Sequence, residues 1–365
     1  MIESFTIISA LIAFFSIFFK WSKEMKLTIF WTFIIFLIIF DGLRWEMGTD
    51  WPTYYAFFND ILEKTGSGFE IGFTIYTWTI RNLTDNYSIY LLLTTAIIYI
   101  GIFYTIFKIS NFSFIALFFL TSYIPWYSGS LRQMMATVFF VLALKYVYSQ
   151  NLFKFLGTMS IGVLFHSTVL PFFFIYWMFG TSLFTFILLG LGLVLVSSII
   201  TVFVAQIDFL INVVSGRGIA SRIGGTLEDS SPVLGLMRKV ITISLSFLFL
   251  KTATNTELLN NKLELDKIKF FLYLSLFSLM FYIIGTFFIN YISSRLDIFT
   301  GIICLAIFLG LIEKHIRSRQ HLLYLYVFVV LLSVVFYVRL DYLNLFHPYS
   351  SIFYNSDYLR DFNEY

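Results

Sequence analysis

With Cys304 as its 1 cysteine in 365 residues, the chain has neither an internal disulfide nor a cysteine metal cluster. Histidine numbers only 4, and no His/Asp/Glu spacing resembles a metal site, nor can a Ser-His-Asp arrangement be read. Charged residues are 12% of the whole and the net charge of +3 decides little. There is no internal repeat, long linker or low-complexity tail, so residues 1–365 read as a single membrane domain with two outer loops, 41–86 and 206–232. The apolar N-terminal run lacks a clear cleavage site after it and reads as a retained first helix.

What the chain has in quantity is apolar sequence: 59% hydrophobic residues, with Phe, Ile, Leu and Tyr abundant. Apolar runs cover residues 2–19, 27–43, 87–107, 111–126, 131–148, 152–180, 182–205, 233–250, 270–290, 295–312 and 321–340. Several approach the roughly 20 residues that cross a bilayer. The 152–180 run is too long for a straight crossing and contains His166-Ser167-Thr168-Val169-Leu170-Pro171, so it is either a kinked, tilted helix or two short ones turning near His166.

Charge placement chooses between these. Segments 20–26, 145–154, 251–269 and 313–321 have the basic character of cytoplasmic loops. Placing all four inside needs an extra crossing between residues 154 and 205, which a hairpin at 152–180 supplies. The expected architecture is an all-α polytopic membrane protein of about 12 helices (11–13) with both termini outside and short interfacial helices in the outer loops. Lysine then falls inside except for Lys64 and Lys239, whereas arginine falls outside except for Arg317 and Arg319. Outer arginines work against the orientation rule, and a task needing planar, permanently charged forks would explain them.

The most informative polar stretch is Ser128-Gly129-Ser130-Leu131-Arg132-Gln133, between two apolar runs. Ser130 and Gln133 have capping-box spacing, which predicts a helix whose first turn holds Arg132. Such a helix start, with its free N–H groups, and a guanidinium together suit a phosphate; a snorkelling arginine on a capped membrane helix is the competing explanation. In the first loop, Asp50 before Trp51-Pro52 suits a helix start, and aromatic residues follow it, with Glu70, Gly72, Tyr76, Trp78 and Arg81 beyond. These are either interfacial anchors or a surface for sugars attached to a lipid phosphate. In the second loop, glycines flank Arg217 and Arg222, which could grip phosphate oxygens or simply be solvated. That loop lacks the Gly-Lys-Ser/Thr ending of a P-loop, so nucleotide binding is not supported. His166, in an apolar stretch near an outer turn, is a candidate proton acceptor or a turn histidine; His347 is a weaker candidate, and His315 and His321 fall in an inner basic turn.

Arg44-x-x-x-Gly48-x-Asp50-x-x-x-Tyr54, Glu70-x-Gly72, Leu131-Arg132-Gln133 opening a helix, and Phe165-His166-Ser167 after a lysine-bearing turn together resemble the EpsG family of bacterial membrane proteins. That family is grouped with Wzy-type O-antigen and exopolysaccharide repeat-unit polymerases. The resemblance implies a GT-C-like fold in the cytoplasmic membrane with its active site facing outward. It implies transfer of a glycan from undecaprenyl pyrophosphate to a sugar hydroxyl of a second lipid-linked repeat unit, without metal, nucleotide sugar or other cofactor. The expected partners are that lipid-linked oligosaccharide as donor and acceptor, the bilayer and, as a further candidate, a chain-length regulator; nucleic acid is not expected. Arg44, Gly48, Asp50, Tyr54, Glu70, Arg132, Gln133 and His166 carry over from the family pattern. Arg132 is assigned first to the donor pyrophosphate, with Arg217, Arg222 and Arg295 added from their placement. His166 is the nominated general base, with Asp50 as the alternative, and Arg44 and Glu70 either orient sugar or hold the first loop. A flippase for the same lipid-linked oligosaccharide, an O-antigen ligase and an acyltransferase are the rival readings.

Overall fold

The structure is a computed structural model that describes residues 2–48, 50–62, 69–192, 232–254, 256–287, 295–337, 350–351 and 353. It is helical, and among the described residues extended pairing is limited to one antiparallel bridge between Arg44 and Ser351. The chain divides into two compact units, the first made of Met1–Tyr176 and Leu309–Tyr365, the second of Trp177–Phe308.

In the first unit, α1 (Ile2–Phe18), α2 (Lys23–Gly42), α3 (Trp51–Asp60) and α4 (Ile71–Leu83) are followed by α5 (Tyr87–Tyr99). A π-helical turn, Ile100–Tyr104, carries α5 into α6 (Thr105–Ile109). Then come α7 (Phe114–Tyr123), a 3-10 turn, α8 (Leu131–Tyr148) and α9 (Leu152–Phe165). The break expected near His166 is present: α9 stops at Phe165, His166 is extended, and a 3-10 turn over Ser167–Phe172 leads to the short α10 (Ile175–Met178). Left-handed backbone marks the tight turns, as at Asn111 and Phe112 between α6 and α7, and at Gly48, whose φ of 96° favours a residue without a side chain.

The second unit holds α11 (Leu183–Gly192), α12 (Pro232–Ala253), α13 (Thr256–Asn260) and α14 (Lys262–Phe287). A helical run over Arg295–Glu313 begins in it with a π-helical stretch, Ile298–Cys304, that packs on α14. The run continues as α15 (Leu305–Glu313), and α16 (Arg319–Tyr337) returns to the first unit. Most of the second loop expected at 206–232, including Arg217 and Arg222, lies outside the described residues, as does His347.

Among the described residues, 5 helices are long and apolar enough to cross a membrane: Lys23–Gly42, Tyr87–Ile109, Leu131–Tyr148, Arg295–Glu313 and Arg319–Tyr337. Shorter apolar helices accompany them, as suits a polytopic membrane protein. Burial separates their roles. Along α8, 67% of residues are buried, against 33% along α2 and α16, so α8 runs through the protein while the other two present Ile35, Phe36, Leu331 and Val334 outward. Small residues set the closest approaches. A Cβ at Gly101 would meet Val138 of α8 at 2.5 Å, and one at Gly72 would meet the Leu164 carbonyl oxygen of α9 at 2.7 Å.

The helix starts fall into two kinds. Ser22, Asn86, Ser113 and Asn151 cap α2, α5, α7 and α9 through their side chains. Asp50, Glu70 and Ser130, at the heads of α3, α4 and α8, make no side-chain cap bond. The capping box expected at Ser130 is therefore not formed. The Ser130 N–H, which Gln133 would have accepted, already donates to the Tyr127 carbonyl at 2.9 Å, and Gln133 is buried. Ser130 still marks the helix start, and its carbonyl accepts the Met134 N–H at 3.0 Å.

Candidate functional site

The uncapped heads of α3, α4 and α8 belong to one cluster in the first unit, which the end of α9 completes. Arg132, in the first turn of α8, donates from Nη1 to Glu70 Oε2 at 2.6 Å, and its guanidinium lies 4.3 Å from the centre of the Phe69 ring. The Tyr54 hydroxyl lies beside both the guanidinium and the backbone N–H of Arg132, at the start of α8. On the other side of the carboxylate, His166 Nδ1 stands 4.0 Å from Glu70 Oε1. Tyr54 in turn rests on Phe69 and Phe73, and its backbone N–H bonds the Asp50 carbonyl at 3.1 Å.

The local sequence explains how these groups come together. Pro52 starts α3 with a residue that needs no N–H partner there. Tyr54 follows within the first turn. Gly72, two residues after Glu70, lets the head of α4 sit directly on the α9 backbone at Leu164, two residues before His166. The Glu70-x-Gly72 pair is thus one device: the glycine brings the helix in, and the glutamate meets Arg132 and His166.

Electrostatics keep the Glu70–Arg132 pair ionised. Burial alone would raise the Glu70 carboxyl, but its own backbone N–H, the Arg132 guanidinium and His166 hold it below the usual carboxylate range. Burial, reinforced by the Asp50 charge and opposed by Arg132, pushes the Tyr54 phenol up to about 12. Tyr54 is therefore neutral at ordinary pH and acts as a hydroxyl. His166 Nδ1 accepts the Thr168 N–H at 3.2 Å, which puts the proton of the neutral ring on Nε2. The Arg132 and Glu70 side chains are 20% and 23% exposed, so an incoming group can reach them, and the Arg132 Nε–H is without a partner.

Arg44 is placed differently. Its side chain is 3% exposed, with Nη1 on the Asp41 carboxylate and carbonyl at 3.0 and 2.8 Å and Nη2 on the Ser128 carbonyl at 2.8 Å. Asp41 also accepts from Tyr99 at 3.0 Å and Ser128 at 3.2 Å. The fork ties the end of α2 to the segment that delivers Arg132. Gln133 is buried in α8, and Arg295 is half-buried at the start of its helical run in the second unit.

Residue-by-residue reading missed other polar groups. Asp41, Tyr99 and Ser128 complete the Arg44 network; an acid inside the apolar run at 27–43 was the available signal. In the second unit, Lys239 is buried and bonded to Asp297 and Ser278, while Ser278 also donates to Asp297 at 2.6 Å. Gly301 leaves room for that carboxylate. Among the described residues there is no group of three or more His, Cys, Asp or Glu side chains that could hold a metal ion.

Comparison with protein families matches this chain to the EpsG family over residues 27–351. The chain belongs to the EpsG family. The match extends beyond the motifs between Arg44 and Ser167 and takes in the second unit. Searches of curated proteins and of solved structures return no match. EpsG membership and the apolar helices make this a membrane protein and point to a function of the polysaccharide-polymerase kind.

Proposed function

We propose that this EpsG protein is a repeat-unit polymerase that moves a glycan from undecaprenyl pyrophosphate to a hydroxyl of a second lipid-linked repeat unit, on the outer side of the cytoplasmic membrane. The observation that carries the reading is the meeting of Arg132, Glu70, Tyr54 and His166 at helix ends of one unit. Breaking the anomeric C–O bond leaves growing negative charge on the pyrophosphate. Arg132, whose side chain is 20% exposed, is suited to receive it. Glu70 holds the guanidinium in position before substrate arrives, and a phosphate oxygen exchanges with one of its contacts.

His166 is the proposed base. Taking the acceptor proton at Nδ1 would break its bond from Thr168 and bring the new N–H towards Glu70, whose carboxylate stabilises the imidazolium. Asp50, beside Tyr54, is the alternative base. In this scheme transfer needs neither a metal nor a nucleotide sugar. A GT-C-like arrangement of about 12 helices belongs to the same proposal.

Flippase activity is the second reading. The observation that favours it is the pairing of buried Lys239 with half-buried Asp297, because ionisable groups within apolar helices often mark transport paths. Purified protein incubated with a defined undecaprenyl-pyrophosphate repeat unit decides the matter. A ladder of products formed without metal or nucleotide sugar supports the polymerase, and unchanged substrate with folded protein overturns it. In cells, loss of a polymerase leaves single repeat units displayed outside, whereas loss of a flippase traps them inside.

A further inference from the structure

On another face of α3 lies an open cleft of about 390 Å³ lined by Trp45, Tyr55, Asn59, Asp85, Asn86 and Tyr87. That volume falls within the roughly 300–1,000 Å³ of small-molecule sites. Its walls are aromatic. The Tyr55 ring stacks on Trp51 at 4.9 Å, and Trp45 and Tyr87 meet Tyr55 edge to face at 5.7 and 5.1 Å. Its rim is polar and uncharged except for Asp85, which is paired with Arg81.

The polar groups retain bonding capacity. Asn86 spends its amide oxygen on the Ser88 and Ile89 N–H groups at the start of α5, which leaves its NH₂ to donate. Asn59 is exposed, one helical turn from Tyr55 on the same face of α3. Tyr87 is 4% exposed and Trp51 lies behind Tyr55, so these two rings serve as wall and not as donors.

We propose that this cleft binds a pyranose of the glycan. A pyranose offers an apolar C–H face to an aromatic wall and a ring of hydroxyls that both donate and accept. The cleft supplies that pairing of Trp45 and Tyr55 with two amides and a carboxylate. It has no unpaired cation for a phosphate. The inference rests on the polymerase reading and deepens it. Helix α3 stands between two subsites, with Tyr54 turned to the Arg132 cluster that takes charge and Tyr55 and Asn59 turned to the cleft that takes sugar.

The test is saturation-transfer NMR on the full chain in a non-glycosidic detergent, with methyl glucoside, methyl galactoside, methyl mannoside, N-acetylglucosamine and N-acetylgalactosamine as probes. At least one probe is expected to bind, with its Kd raised about fivefold in Asn59→Ala, the loss of one hydrogen bond, and about tenfold or more in Trp45→Ala. Asn59 is exposed, so its variant keeps the fold, checked by an unchanged Tm. Absence of binding by every probe, or binding unchanged in both variants, overturns the cleft. If wild-type protein makes a ladder while the cleft fails, the polymerase reading stands alone. If Asn59-dependent binding occurs without a ladder, the saccharide site stands and the polymerase reading falls.

Discussion

Arg44 and Arg132 come from the same family pattern and carry the same guanidinium, but the fold gives them opposite settings. Arg44 sits at 3% side-chain exposure between a carboxylate and two carbonyls, whereas Arg132 sits at 20% beside one carboxylate, a phenol and an aromatic face. Both keep an unpartnered Nε–H, yet only that of Arg132 belongs to a side chain that meets solvent. A buried pair resists loss of either member because the survivor is left charged in an apolar surround. A partly exposed pair costs little to open, which is what a site that must exchange ligands requires. One arginine ties helices together, and the other stays open to solvent.

The largest effect should follow from breaking the buried member. Arg44→Ala is expected to lower stability by about 3–5 kcal/mol, seen as loss of folded protein in detergent or a sharply reduced Tm. Arg44→Lys should recover only part of this, since one ammonium cannot span Asp41 and Ser128 as the fork does.

Arg132→Ala reverses the pattern. Its Tm should change little, while product formation at equal protein abundance falls by about a hundredfold; normal polymer length and yield would remove Arg132 from the site. Next comes Gly72→Ala, which leaves every charged group in place but pushes the head of α4 off Leu164. We expect a loss of about tenfold in rate, smaller than the roughly hundredfold that a 1 Å misplacement can cost. If rate is unchanged while the Tm falls, Glu70 has no positioning role.

The smallest effect is in pH dependence. Because the folded Glu70 carboxyl is held below its ordinary value of 4.5, its stabilising contribution is complete above that value and is lost as pH falls through the lowered one. The Tm gap between wild type and Glu70→Gln should therefore be present at neutral pH and close in acid. A gap independent of pH would sever the Glu70 charge from Arg132 and His166.

Much of the helical layout was legible because long apolar runs have few alternatives in a membrane, where backbone groups must be paired within the segment. The break at His166 and the helix beginning at Trp51-Pro52 followed from local chemistry of the same kind. The Ser130–Gln133 spacing misled for a reason outside its own window: the Ser130 N–H is taken by Tyr127, and Tyr54, remote in sequence, lies beside the N–H of Arg132. Asp41 gave no sign of its partners either, since Tyr99 and Ser128 lie 58 and 87 residues away from it.

By itself, then, the amino-acid order determined a helical membrane protein of the EpsG family and named Asp50, Tyr54, Glu70, Arg132 and His166 as its polar residues of interest. Hydropathy and helix signals act over a turn or two, so they survive without a fold. Only the tertiary structure separated the arginine that holds α2 from the one that meets Glu70, and set Tyr55 and Asn59 on a different face of α3 from Tyr54. Burial and pairing depend on which distant helices pack together, here through the close approach at Gly72, and no local pattern carries that information.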